Sequence, residues 1–575
     1  MHINIVPNRG SSPSVLLRES YREGSKVCKR TLANLSALSA AQVQMIRAIL
    51  RGDVLQPIDK TFEITASCAH GHVQAVSLAM QRLGFASLLG TKPCPERDLV
   101  CAMVASRIIC PATKLATTRL WHTSTLAAEF GVSDASEDDL YAAMDWLLSS
   151  QDRIQKKLSA RHLQEDSLVL YHLSSSYFEG SHYPLAKLGY SRDGKRGTLQ
   201  VNYGLLTDDR GCPVAISVHE GHTSDSTAFM PQVTRLREQL GIKRMVTVGD
   251  QGMISQKAID EMSKDDDLAW ITALRSSAIG TMVQQGAVQM GLFDERNLAE
   301  ISSPDFPGER LVACRNPELA KLRAHTRADL LAATEKDLLS IQARVGAGKL
   351  VTRARKLAGA DKIGVAVGKV VNRYEVAKHF ELTITDDSLT FTRKIDSIAA
   401  EAALDGLYII RTSVKTQRMD APTCVRAYKL QAQVERAFRS IKTMDLKMRP
   451  IHHHLEDRVR AHIFLCMLAY YVEWHMRQVW RELMFADEDQ AAKLVRDAVA
   501  PATRSDVATK KVLSITLEDG SPLHSFQTLM ALLQAIVRNT CRTPGRAAEA
   551  PAFEITTTPN HTQKRALELI AQIKP

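Results

Sequence analysis

Apolar and polar positions alternate from residue 12 to 35, where Val15-Leu16-Leu17-Arg18-Glu19-Ser20-Tyr21 and Lys26-Val27-Cys28-Lys29-Arg30-Thr31-Leu32 flank Glu23-Gly24-Ser25. A period of two around a Gly-containing turn predicts a basic β-hairpin. The period then lengthens. Helices are expected over Ala40–Leu50, His72–Leu89, Glu96–Ile109 and Glu137–Ser149, the last with Asp138 and Asp139 in its first turn. At Ser167 the pattern shortens again. Ser167-Leu168-Val169-Leu170-Tyr171-His172-Leu173 reads as an apolar strand that breaks into Ser174-Ser175-Ser176. Thr198–Leu206 and Pro213–His219 read as two more, joined by the turn Thr207-Asp208-Asp209-Arg210-Gly211. A helix over Ser226–Leu240 follows. A short buried strand then runs into Gly249-Asp250-Gln251-Gly252, and Leu268–Leu274 is another. This is the order of a mixed α/β sheet with polar residues at its strand ends.

The segment before Glu435 is longer than such a sheet needs. It holds a charged helix over Arg315–Ala343 and a basic stretch with Lys349, Arg353, Arg355, Lys356, Lys362 and Lys369. Alternating strands at Arg373–Thr385, Thr390–Lys394 and Leu407–Thr412 follow, so it reads as an inserted module whose basic face is either a phosphate contact surface or a solvated face. A helix then carries Tyr428, Gln431, Glu435, Arg439 and Lys442 near one line, with Leu430, Val434, Ala437 and Ile441 on a second, apolar line. This stretch alone fits an exposed helix with Glu–Arg pairs as well as a carboxylate held beside phosphates. After it come Arg449 and His452-His453-His454. Adjacent histidines cannot all reach one ion, so proximity to phosphate is the expectation for them. Glu456 to Trp480, Ser525–Val537 and His561–Ile573 are expected helices.

Composition sharpens this picture in three ways. The 575 residues, 45% of them hydrophobic, suffice for several domains. Net charge is +11, which favours a polyanionic partner. No apolar run reaches the ~20 residues of a membrane span, and ten scattered cysteines without a CxxC pair indicate neither a zinc ribbon nor a disulfide framework. A cytosolic, soluble protein with no membrane partner is expected.

Val248-Gly249-Asp250-Gln251-Gly252-Met253, Glu220-Gly221-His222-Thr223-Ser224-Asp225 and Tyr428-x2-Gln431-x3-Glu435-x6-Lys442 resemble the DDE transposases of bacterial insertion sequences. The closer likeness is to the large members with a Tyr-Arg-Glu-Lys signature around the third acid and a β-rich insertion. Ser20-Tyr21-Arg22-Glu23-Gly24, Lys378-His379-Phe380 and Arg449-Pro450-Ile451 extend it over nearly the whole chain. The resemblance implies an α/β, RNase H-like catalytic core over 165–285 and 415–480. It further implies a basic helix-plus-β insertion at 286–414, a mostly helical N-terminal region over 1–160 with a possible DNA-end-binding role, and a helical tail over 481–575. It implies a metal site of three acids holding Mg²⁺, with Mn²⁺ as substitute, for strand cleavage and transfer. Asp250 and Glu435 fall on the second and third acids and are the expected metal ligands, while His172 stands on the first, where the family has aspartate. Gln251, His222 and Gln431 also depart from the family residues. Tyr428, Gln431, Arg436, Arg439, Lys442 and Arg449 are the expected DNA contacts, and double-stranded transposon-end and target DNA, bound by a homodimer in a synaptic complex, are the expected partners. No nearby acid in the sequence replaces the missing aspartate. Three readings stand at this level: an active transposase, a non-catalytic end-binding relative or inhibitor, and an RNase H-like nuclease outside transposition.

Overall fold

The computed structural model describes residues 1–53, 62–178, 180, 183–195, 197–293, 296–346, 357–487, 489, 496–500, 504–542 and 552–574. The chain forms two compact units, Met1–Cys68 with Ile536–Thr558, and Ala69–Ala535 with Pro559–Pro575.

In the first unit the expected hairpin, β2 (Ser14–Glu23) and β3 (Lys26–Asn34), gains a third antiparallel strand, β1 (His2–Val6). Helix Ala40–Leu50 starts at a capping box in which Ser39 and Gln42 satisfy each other's backbone N–H groups. A second small sheet joins β4 (Glu63–Ala69) to β16 (Val537–Arg542) and β17 (Phe553–Thr556). The units therefore depart from the division expected at residue 160 and from a separate tail beginning at 481. One strand of that tail, β16, pairs with β4 and carries β17 on its other edge, while the helices from Gly71 onward belong to the second unit. Pairing across more than 450 residues leaves no trace in local periodicity, as the bond from Thr65 Oγ1 to Thr540 O illustrates.

The second unit is built on a mixed sheet. Its strands, among the described residues, are β5 (Ser167–Tyr177), β6 (Lys187–Leu188), β7 (Leu199–Thr207), β8 (Pro213–Glu220), β9 (Met245–Val248), β10 (Leu268–Ala273), β11 (Leu298–Ile301), β12 (Arg310–Arg315) and β15 (Leu407–Thr412). Their order is β11-β12-β15-β10-β9-β5-β7-β6, with β8 also on β7. Strands β5, β9 and β10 are parallel, and the rest pair antiparallel. Helix Glu456–Val479 is buried on nearly all sides between Val459 and Met476, which explains why its sequence is apolar without a clear stripe.

Three expectations change here. Strand β5 does not break at the serines but runs to Tyr177, because Ser174–Ser176 pair with β7 and Ser176 Oγ bonds Tyr203 Oη at 2.8 Å, so the polar atoms are satisfied inside the sheet. Strand β15, read as part of the insertion, sits between β10 and β12 in the main sheet, and β11 and β12 extend it. The strand expected from Arg373 is helical up to Tyr374. Helix Ala360–Tyr374 buries Ile363, Val367, Val370 and Val371 against Leu331, Leu338, Ile341 and Val345 of helix Pro317–Gly346. Only β13 (Phe380–Ile384) and β14 (Leu389–Arg393) form a hairpin there. Lys362 and Lys369 lie exposed on helix Ala360–Tyr374, whereas Lys349, Arg353, Arg355 and Lys356 are outside the described residues. No single helix among the described residues is long and apolar enough to cross a membrane.

Candidate functional site

The site begins where two parallel strands end side by side. Leu170 of β5 pairs with Val248 of β9, the last pair of their parallel ladder, and His172 and Asp250 each follow two residues later. Gly249 between them has no room for a side chain, since a Cβ would stand 2.7 Å from Ile254 Cγ1. The chain turns there on the carboxylate of Asp250, whose Oδ1 accepts from the N–H groups of Gly252 (2.9 Å) and Met253 (2.7 Å). That leaves Oδ2 at the strand end without a hydrogen bond among the described residues.

Over these ends lies the segment expected as one helix. It is instead two helices, Ala421–Lys429 and Gln431–Arg439, followed by a π-helical turn at Ser440–Met444. Val434, Ala437 and Phe438 are its buried face, and Phe438 meets the His172 ring at 6.0 Å and the Tyr203 ring at 5.7 Å. Glu435, next to that buried face, is exposed, as are Arg436 and Arg439. Burial, together with the charges of Asp250 and Glu435, pushes the Tyr428 hydroxyl up to about 12. Gln431 Nε2 is buried without a partner. The π turn is held from below. Ser440 Oγ bonds Asp445 Oδ2 (2.8 Å) and Glu473 Oε1 (2.9 Å), and Arg477 bonds the same two carboxylates. One wider turn rotates everything after it off the line drawn at 3.6 residues per turn. Lys442 consequently points inward. It is 8% exposed, and its Nζ donates to Asp193 Oδ1 at 2.5 Å and Ser174 Oγ at 3.2 Å. Arg449 reaches the other oxygen of Asp193 at 2.7 Å. In this conformation neither cation is a free phosphate contact.

The sequence also matches the family description "Transposase DDE domain" over residues 175–472 and "IS1634 family transposase, N-terminal domain" over residues 3–56. The chain belongs to the transposases with a DDE domain, and its first residues are similar to the N-terminal domain of IS1634 family transposases. The DDE match starts three residues after His172, so it leaves out the altered position. Among curated proteins none matches. One solved structure with some likeness is a piggyBac transposase synaptic complex with hairpin DNA, at 9% identity and a TM-score of 0.31, covering 80% of this chain and 77% of that one.

For a member of this family the surroundings of His172 matter most, and Asp225 is an acid whose titration responds to His172. Asp225 opens helix Asp225–Glu238, which packs on β5 through a Tyr171–Phe229 ring contact at 6.4 Å. Arg192 ties the start of that helix to the strand, since its guanidinium ion-pairs with Asp225 and its backbone N–H donates to Ser175 Oγ at 3.1 Å. Burial and the charge of Asp250 push the pKa of Asp225 up, against the pull of Arg192 and His172. Asp225 therefore shares the field of the strand ends although it lies 53 positions after His172. His172 Nδ1 is buried without a hydrogen-bond partner.

The three adjacent histidines do not form one site. His453 meets Tyr141 and His462, while His454 meets Phe178. A donor group that sequence reading missed is His162, Cys212 and His475, whose ligand atoms lie within 4.8 Å of one another. It is the one such group among the described residues, so the side chains at the strand ends stand further apart than a single-ion shell. Two features oppose a dication at His162. Both of its nitrogens are engaged, by Tyr471 Oη (3.0 Å) and Arg210 (3.2 Å), and Arg161 and Arg210 add positive charge.

Proposed function

We propose that this chain binds the terminal repeats of its insertion sequence and cleaves and transfers DNA strands at an RNase H-like site formed by Asp250, Glu435 and the His172 position. The observation that supports the reading is the parallel pairing of β5 and β9, whose last pair, Leu170 and Val248, stands two residues before His172 and Asp250, together with the contact of His172 with Phe438 on the helix bearing Glu435. Three antiparallel strands continued by two parallel ones, with acids at the strand ends, support the RNase H-like assignment of the core.

The donor types suit a divalent ion, while their ligand atoms among the described residues do not converge within one ion's shell. Oδ2 of Asp250, the exposed Glu435 and the second oxygen of Asp225 supply hard oxygen donors, and His172 offers a buried nitrogen without a partner. A bound Mg²⁺ pair would supply Lewis-acid activation of the attacking hydroxyl and stabilise the leaving oxygen. The chain's own part is positional. The Gly252 and Met253 N–H groups hold the Asp250 carboxylate in place, and Arg192 orients Asp225. Tyr428 and Gln431 line the approach, and Arg436 and Arg439 face the phosphates. A homodimer in a synaptic complex is part of the proposal, since two ends must meet.

His172 weakens this arrangement. An imidazole gives one neutral nitrogen where the family has a bridging carboxylate, so one negative charge is missing from a site that concentrates cations. The second reading, an end-binding protein that does not cut, rests on this same residue.

Binding is tested by fluorescence anisotropy on duplexes carrying the terminal repeats. With Arg436, Arg439 and the cations of the insertion in contact, log K should fall with log salt at a slope of about −4 or steeper, at ~0.9 per neutralised phosphate. Arg439→Gln should reduce that slope by about 1. An affinity independent of salt would overturn the assignment.

A further inference from the structure

Away from the strand ends, two buried cations face a cavity without a counter-ion. Lys114 is 5% exposed and Arg107 is 7% exposed, and among the described residues neither forms an ion pair. Arg107 donates from Nη2 to Ala112 O at 3.2 Å, and no hydrogen bond to Lys114 Nζ is formed among the described residues. The cavity they line measures about 270 Å³ and is completed by Lys447, Arg449, His452, His453 and His462. The one acid on its wall is Glu137, which accepts from Tyr141 Oη at 2.9 Å.

This is an unfavourable arrangement for an empty protein. A buried charge costs several kcal/mol unless it is paired, and like charges beside each other add to that cost. Burial, aided by Arg107, holds Lys114 down to about 7, and burial and the same two cations hold His453 down to about 3. Nearly all the charge in the cavity wall has one sign, its acceptors are scarce, and its donors converge from three elements: helix Pro95–Ile109, helix Lys114–Leu120 and the segment after the π turn.

We propose that this cavity is a phosphate-binding site, with Lys114 and Arg107 as its inner donors and Arg449 at its edge. Arg449 also ion-pairs with Asp193, the residue that holds Lys442, so an occupied cavity would communicate with the π turn behind Glu435. The phosphate is either a backbone group of bound DNA or a free phosphate ion. The DNA source rests on the function proposed above, and the free-ion source does not.

The test uses the full chain. Inorganic phosphate is titrated at constant ionic strength against chloride while thermal melting is followed, for the wild type, Lys114→Met and Lys114→Arg. In parallel, the affinity of all three for terminal-repeat DNA is measured over a salt series. A free-ion site predicts a phosphate-dependent rise in melting temperature that Lys114→Met loses and Lys114→Arg keeps. A DNA site predicts a loss of at least tenfold in DNA affinity for Lys114→Met, with the salt slope reduced by about 1. If Lys114→Met does not fold, the wild type and Lys114→Arg carry the test, since the arginine variant must match the wild type in one of the two responses. A melting temperature indifferent to phosphate, together with unchanged DNA affinity in the folded variants, would overturn the proposal. Retained DNA binding with no effect of Lys114→Met on either the phosphate response or the DNA affinity would overturn the cavity site alone, whereas absence of salt-dependent DNA binding in the wild type would overturn the function reading instead.

Discussion

His172→Asp is expected to raise Mg²⁺-dependent cleavage of transposon-end DNA about 100-fold, or about 2.7 kcal/mol off the barrier at 1.36 kcal/mol per decade. The substitution places a carboxylate two residues past the last β5–β9 pair, as Asp250 is on β9, where it can join two hard ions that an imidazole cannot bridge. In Mn²⁺ the gain should shrink to about tenfold, because a softer ion accepts the imidazole nitrogen better. The aspartate gives up the ring contact with Phe438, which costs up to about 1 kcal/mol of stability and is checked by melting both proteins. Equal, robust cleavage by both proteins in Mg²⁺ would mean that Asp225 or another group already does the work of the first acid.

Asp193→Ala is expected to be the most destabilising single change near the site. Its side chain is 4% exposed and answers two cations, Lys442 at 2.5 Å and Arg449 at 2.7 Å, whose side chains are 10% and 24% exposed. Removing the shared carboxylate leaves Lys442 buried beside Ser174 with no charge partner, a loss of about 3 kcal/mol. Lys442→Met in the Asp193→Ala background should recover part of that loss, because the stranded ammonium is then gone. Chemical denaturation of the four proteins of the cycle measures it. A loss under about 1 kcal/mol for Asp193→Ala would show that Lys442 swings to solvent, free to meet phosphate.

Much of this was legible in the sequence because it is local. Strands β5 and β9 were visible as short apolar runs ending in polar residues, and helix Glu137–Ser149 announced itself through its capping acids. The residues that make the site one object were not. Arg192 and Asp193 look like a charged loop, and only burial under Lys442 and Arg449 shows that Asp193 is a hub. Asp225 appears as the last residue of a family motif, and its electrostatic coupling to Asp250 and His172 depends on how helix Asp225–Glu238 packs on β5. The π turn escaped because nothing in Ser440-Ile441-Lys442 departs from a helical pattern. It is imposed by the network of Glu473, Asp445 and Arg477, drawn partly from another helix. Similarly, Lys114 and Arg107 look like ordinary surface cations until the fold encloses them.

The central claim is that Asp250 and Glu435 act together in one metal-dependent site. It is tested most directly by following the nicking of end-labelled terminal-repeat DNA in Mn²⁺ by the wild type, Asp250→Asn and Glu435→Gln, at protein concentrations that saturate binding. The account predicts slow, metal-dependent nicking by the wild type that falls at least 100-fold in each variant while DNA affinity stays within a few-fold. Nicking that persists undiminished in either variant would contradict it.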